Sequence, residues 1–284
     1  AQLQRLALLR VKRLAAFIGA RVGAERAPGR GIDRGVGVDQ VGEPDARRGG
    51  RMRLLLAGGG QAVFAVLVKA VKAHARQQLP FFGQVDLVFN NAGVLSSGLT
   101  WEIDAATWQR SLAVNIGGVV NVIRAFVPRL IAADRPARIV NTSSLGGFLT
   151  SPFMAPYSAT KFAIVAITEA LAAELAATGS KVQVSLLAPG PVKSAIMDEP
   201  APAETAGFMA MLRGMSDENG MSPDELAVLV FEAIGRGEYW IIPHPEMLDE
   251  PLRDRTRMII DRSPPTSFGL VETTTEGMGQ HDAK

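Results

Sequence analysis

Val85-Asp86-Leu87-Val88-Phe89-Asn90-Asn91-Ala92-Gly93 is the stretch that decides how this chain folds. Residues 85–89 are apolar at nearly every position. A run that short and that apolar reads as a strand covered on both faces, as in a parallel sheet packed between helices. Asn90-Asn91-Ala92-Gly93 leaves the strand directly. In a parallel α/β sheet, ligands bind outside the carboxyl ends of the strands. Asparagine amides there can anchor backbone, and a glycine lets a ligand approach closely. An Asx turn closed by glycine explains the same four residues equally well when they are taken alone.

Working outward, further β-rich runs fall at 53–57, 138–142, 182–188 and 239–242, with helical stretches near 61–77, 103–132, 156–177 and 223–235. Strands alternating with helices predict an α/β fold, a doubly wound parallel sheet. Gly179 is placed to stop the third helix, and Ser222-Pro223 to start the fourth. Two more strand ends carry chemistry. The strand at 138–142 runs into Ser143-Ser144, and the one at 182–188 into Pro189-Gly190-Pro191-Val192-Lys193-Ser194.

Tyr157 and Lys161, with Ser144 thirteen residues upstream, add a helix face to the same edge. Residues four apart on a helix share one face. A free tyrosine titrates near pH ~10. A neighbouring ammonium favours the phenolate, so Lys161 is expected to lower the Tyr157 pKa and fit it to move a proton on an alcohol or carbonyl oxygen. The bland alternative is a Tyr and a Lys decorating a helix surface. Asn115 sits inside the 103–132 stretch beside Gly117-Gly118, where both residue types weaken a helix.

In order and spacing, these motifs resemble those of the short-chain dehydrogenase/reductase family. They are Asn90–Gly93, Asn115, Ser144, Tyr157 with Lys161, and Pro189–Ser194, the last with serine where the family usually has threonine. The resemblance covers residues 61–245 and implies a Rossmann-like sheet and an NAD(P)-dependent oxidoreductase interconverting an alcohol and a ketone. Under it, Tyr157 is the general acid or base, and Ser144 orients the substrate oxygen. Lys161 depresses the tyrosine pKa and bonds the nicotinamide ribose, while Asn115 holds a water linking Lys161 to solvent. Asn91, Ala92 and Gly93 line the adenosine side. Pro189, Gly190, Val192 and Ser194 form the turn at the nicotinamide side.

The family's opening strand and glycine-rich phosphate loop are missing or aberrant here. Gly58-Gly59-Gly60 follows an apolar run, yet Gly60 lies only 33 residues before Gly93. The family needs roughly seventy there to fit two further strands and helices. The glycines read as the exit turn of 53–57 in preference to a relocated phosphate loop. The choice between NAD and NADP therefore has no visible determinant. The alternative is a non-catalytic protein of the same fold, with impaired cofactor binding, that acts through association.

Composition divides the chain. Residues 1–53 carry eleven Arg and one Lys against five acids, whereas the remainder carries 18 bases against 23 acids. Residues 1–52 read as an aberrant or poorly ordered segment, either a true divergence or an out-of-frame translation joined to an enzyme. Residues 53–262 read as the catalytic domain and 263–284 as a mobile tail. Leu54, Leu55 and Leu56 are the apolar strand candidate expected to move beside 85–89, where the family's first strand lies. The first 24 residues lack acids and faintly resemble a transit peptide, against an ordinary surface helix.

The net charge of +2 and the absence of interleaved aromatics argue against nucleic acid. No uninterrupted apolar run reaches the ~18 residues of a membrane span. With no cysteine the chain has no disulfide framework or thiolate metal site, and a cytoplasmic home is expected. His74, His244 and His281 are scattered, so no metal site is expected, and His244 between two prolines reads as a surface turn. Phe208, Met209, Met211, Leu212 and Met215 suggest an adaptable lid for a bulky apolar substrate, or simply core. The six apolar residues 162–167 exceed what one packed helix face needs, pointing to a homodimer or homotetramer.

Overall fold

A computed structural model describes residues 54–57, 85–198 and 200–265. The expected helix at 61–77, Gly58–Gly60, residues 1–52 and the tail from 266 lie outside them. Five parallel strands form one sheet in sequence order: β1 Leu54–Ala57, β2 Leu87–Asn90, β3 Ala137–Thr142, β4 Val182–Leu187 and β5 Trp240–Ile241. β1 pairs in parallel with β2, Leu54 opposite Leu87 and Ala57 opposite Asn90. The triple-leucine run thus takes the place beside the Asn-Asn-Ala-Gly strand that its apolar character predicted.

The helices between strands are α1 (Ala105–Ser111), α2 (Gly118–Ala132), α3 (Ala155–Ala177), α4 (Ala206–Asn219) and α5 (Pro223–Arg236), and α6 (Asp249–Asp261) follows β5. Successive strand residues face opposite sides. Val88, Ile139 and Val184 pack under Val122 and Phe126 of α2 and Leu171 of α3. Leu87, Phe89 and Val140 pack under Val230 and Ala233 of α5. Coverage on both sides is why β2 tolerates no polar residue before Asn90.

The expected helix boundaries have visible causes. Gly179, at φ +65°, carries the left-handed turn that ends α3, its N–H bonded to Ala176 O at 3.1 Å and that of Ser180 to Leu175 O at 3.0 Å. Ser222 caps α5 reciprocally with Glu225. Two helices, α4 and α6, were not anticipated. The composite helix Ala105–Ala132 is, by length and composition, apolar enough to cross a membrane, although no uninterrupted apolar run in the sequence suggests it. Val119, Val122 and Phe126 spend that apolar character on the sheet, and Asn115 and Asn121 are buried within the helix.

Candidate active site at the carboxyl edge of the sheet

The carboxyl ends of β2, β3, β4 and β5 carry, in turn, Asn91-Ala92-Gly93, Ser143-Ser144, the Pro189–Ser194 turn and His244. α3 adds Tyr157 and Lys161, and the break between α1 and α2 adds Asn115. That break is a π-helical segment, Leu112–Gly117. Wide turns of this kind inside helices commonly sit at functional sites. Here the break delivers a fully buried amide: Asn115 Oδ1 accepts from Val94 N at 2.8 Å, and Nδ2 donates to Val94 O at 3.0 Å and Thr160 Oγ1 at 2.9 Å. The residue beyond Gly93 is therefore clamped by both its backbone groups.

Beneath the loop, Asn90 donates to Asn141 Oδ1 at 2.7 Å, and Asn141 donates to Thr168 Oγ1 at 3.0 Å, all buried. This amide relay ties β2, β3 and α3 and fixes the loop's base. Buried polar side chains of this kind are tolerated only when their bonds are satisfied.

Ser143 and Ser144 have divergent tasks. Ser143 is buried and donates to Lys161 O at 2.9 Å, docking β3 on α3. The approach is so close that a Cβ on Gly147 would lie 2.3 Å from Ser143 Oγ and 2.8 Å from Lys161 O, so only glycine fits. Ser144 is half-buried, and its hydroxyl accepts from Gly146 N at 3.2 Å and approaches Pro189 O at 3.5 Å. It keeps capacity for a ligand oxygen.

Lys161 is 4% exposed, and its Nζ donates to Thr142 O at 3.1 Å and lies 5.6 Å from the Tyr157 ring centre. Burial pushes its pKa down to about 8. Burial also raises the Tyr157 phenol above its ordinary value, opposed by a hydrogen bond with Ser144. The expected lowering of the tyrosine by Lys161 is thus not what dominates. The ammonium stands over the ring rather than on the hydroxyl, and desolvation of the phenolate outweighs its attraction.

Gly93 separates Lys161 from Asn115, since a Cβ there would stand 3.5 Å from Lys161 Nζ and 3.7 Å from Asn115 Oδ1. Ala92 and Gly93 are half-buried and Asn91 is exposed. Pro189, Gly190 and Val192 are half-buried, and Ser194 is exposed at the start of a 3-10 turn, Ala195–Met197.

His244 corrects the sequence reading. It is 7% exposed, and its Nδ1 accepts from Gly190 N at 3.1 Å. The surrounding prolines fix the turn but do not expose the ring. Among the described residues no cluster of metal-ligating side chains occurs.

The profile described as short chain dehydrogenase matches residues 65–205. A Cα-dehydrogenase of Sphingobium is 34% identical over 70% of this chain and 66% of its own length. A 1-deoxy-11-beta-hydroxypentalenate dehydrogenase of Streptomyces avermitilis is 34% identical over 67% of this chain and 69% of its own length. The crystal structure of a short-chain dehydrogenase/reductase from Burkholderia phymatum in complex with NAD superposes with a TM-score of 0.67, at 34% identity, over 70% of this chain and 75% of that one. The chain belongs to the short-chain dehydrogenase/reductase family. It spans about two thirds of the length of the curated relatives just named.

Proposed function

We propose that the protein is a cytoplasmic NAD(P)-dependent oxidoreductase interconverting an alcohol and a ketone. The observation that carries this reading is the buried Lys161 ammonium, bound to the Thr142 carbonyl and lying over the Tyr157 ring at the sheet edge that holds Ser144. Among the described residues this desolvated cation has no carboxylate ion-pair partner, which makes it costly to keep. Its retention beside a phenol is explained by proton transfer at that phenol.

The residues present fit a nicotinamide dinucleotide. Lys161 Nζ has three N–H donors and, among the described residues, one hydrogen-bond acceptor, Thr142 O. The neighbouring Thr142 Oγ1 is buried and has no hydrogen-bond partner among the described residues. Unspent polar atoms beside Gly93 suit ribose hydroxyls. Lys161 would hold that ribose, Asn91, Ala92 and Gly93 the adenosine side, and Pro189, Gly190, Val192 and Ser194 the nicotinamide side. The bound cofactor supplies or accepts the hydride. NAD has the support of the Burkholderia relative, crystallised with it at 34% identity.

Tyr157 handles the proton. With its pKa raised by burial, the phenol is protonated at neutral pH and gives its proton to a carbonyl oxygen during reduction. Ser144 donates to the same oxygen and stabilises the charge that develops there. In the oxidising direction the phenol must first ionise, with the Lys161 ammonium and the Ser144 hydroxyl opposing the cost of burial. A bulky apolar substrate is part of this reading. Tyr157 packs beside Leu95, Met154, Phe208 and Met209, an apolar and methionine-rich wall. Relatives named as dehydrogenases support the reaction class.

Self-association through α3 completes the reading. On α3, Ala166 is exposed, whereas Val165 is partly buried against Val119, Ile164 and Leu186, and Phe162 lies under the Arg255 guanidinium of α6 at 5.1 Å.

Tyr157→Phe should abolish turnover while leaving the melting temperature unchanged, and undiminished turnover removes the mechanism. Fluorescence titration with NADH and with NADPH should show saturable binding of at least one. Binding of neither would favour a non-catalytic protein acting through association.

A further inference from the structure

The Pro189–Lys193 turn is held from several elements at once. Pro189 O accepts from Leu145 N at 3.1 Å, Pro191 O from Met221 N at 3.0 Å, and Val192 O from Ser216 Oγ at 3.3 Å. Lys193 N donates to Met221 O at 3.0 Å. Gly190 N donates to a side chain 54 residues away, His244 Nδ1, at 3.1 Å. The fit is tight, for a Cβ on Gly190 would stand 3.0 Å from His244 Cγ and 3.1 Å from Nδ1. The ring is 7% exposed, so an imidazole has been buried to accept one backbone proton at the carboxyl end of β5.

We infer that His244 is a positioning residue for the cofactor, setting the Pro189–Ser194 turn by accepting the Gly190 proton. The inference rests on the oxidoreductase reading, in which that turn meets the nicotinamide side. Three features of the contact carry it. The acceptor must be Nδ1 of a neutral ring, because an imidazolium has no acceptor. Pro189 and Pro191 flank Gly190 and lack N–H groups, so Gly190 N–H is the one backbone donor between residues 188 and 192. Removing its acceptor leaves that donor unsatisfied and frees the turn between two prolines. His244 itself lies between Pro243 and Pro245 and precedes a 3-10 turn, Pro245–Met247, so its backbone is pinned too.

Three substitutions separate this role from generic packing. His244→Asn would place an amide oxygen near the position of Nδ1, whereas His244→Gln places its oxygen one bond further out and His244→Leu offers none. His244→Leu should raise the KM for the cofactor about tenfold with little change in kcat, and speed exchange of the Gly190 amide. His244→Asn should restore both, and His244→Gln should resemble His244→Leu. Hydrogen exchange on the peptide spanning 189–194 needs no activity, so it reads the hold of His244 even if NADH and NADPH fail to bind the wild type, a result that sinks the oxidoreductase reading alone. Slow exchange together with a wild-type KM in His244→Leu overturns the inference. Equal KM increases in His244→Leu and His244→Asn also overturn it, by making the ring's bulk, not its acceptor, the cause.

Discussion

Lys161 and Tyr157 are moved by the same burial in directions that leave both neutral forms favoured. The lysine falls to about 8 from 10.5, so between those values the folded protein has released a proton that the unfolded chain still holds. Stability therefore rises with pH across that window. Below pH 8 the buried ammonium costs folding up to roughly 3 kcal/mol, at about 1.4 kcal/mol per unit. The tyrosine is shifted upward, so above pH 10 the unfolded chain loses a proton that the folded state keeps, and stability falls. Urea melts from pH 7 to 10 should show the rise in the wild type and its loss in Lys161→Met, and a parallel rise in the variant would contradict the assignment. The same protonated phenol predicts direction. Ketone reduction should be favoured near neutrality and alcohol oxidation should climb with pH, measured as initial rates in each direction. The Tyr-x-x-x-Lys pairing was legible in the sequence because helical spacing fixes it. The sign of the tyrosine shift was not, because burial depends on Leu95, Phe208 and Met209, which approach from other elements.

At the scale of elements, legibility followed local chemistry. The break in the long helix could be read from Asn115 beside Gly117-Gly118, and it materialised as the π-helical segment Leu112–Gly117. Helix α4 was hidden because Gly207 and Gly214 interrupt its pattern, and tertiary packing of Phe208 and Met209 holds it nonetheless. Helix α6 buries none of its residues, so no apolar stripe announced it. His244 eluded the sequence because its partner lies in a turn 54 residues away. The junction between the 3-10 turn Leu145–Gly147 and α3 gives a sharp test. In Gly147→Ala the new methyl meets Lys161 O, which is backbone and cannot rotate aside. The variant should lose about 2–3 kcal/mol of stability and most of its turnover, since displacing α3 moves Tyr157 and Lys161 together. Arg138 supplies the contrast. It is buried at the amino edge of the sheet and donates to Ser185 Oγ at 2.6 Å, Glu238 O at 3.2 Å and Gln183 Oε1. Arg138→Ala should cost about 2 kcal/mol in denaturant melts and leave the KM for the cofactor unchanged, because the site is at the opposite edge.

For the whole molecule, the sheet depends on four residues that precede an otherwise familiar domain. β2 carries Asn90 and the loop beyond it, and its backbone needs partners on both sides: β3 provides one and Leu54–Ala57 the other. Val88 and Phe89 are 0% and 8% exposed, so water cannot replace a missing ladder. Unpaired buried backbone groups are costly, and an open apolar edge is a template for aggregation. Two truncations therefore part company. A chain starting at Arg53 should keep the wild-type melting temperature, elution volume and NADH or NADPH titration. A chain starting at Gly58 lacks β1, and it should melt several degrees lower, aggregate on size-exclusion chromatography and lose cofactor binding, because the end of β2 that positions Asn91 to Gly93 is no longer held. Equal behaviour of the two truncations would mean that β1 contributes nothing to the sheet. Collapse of both would mean that residues 1–52 bear on the fold despite a composition that gives no sign of it.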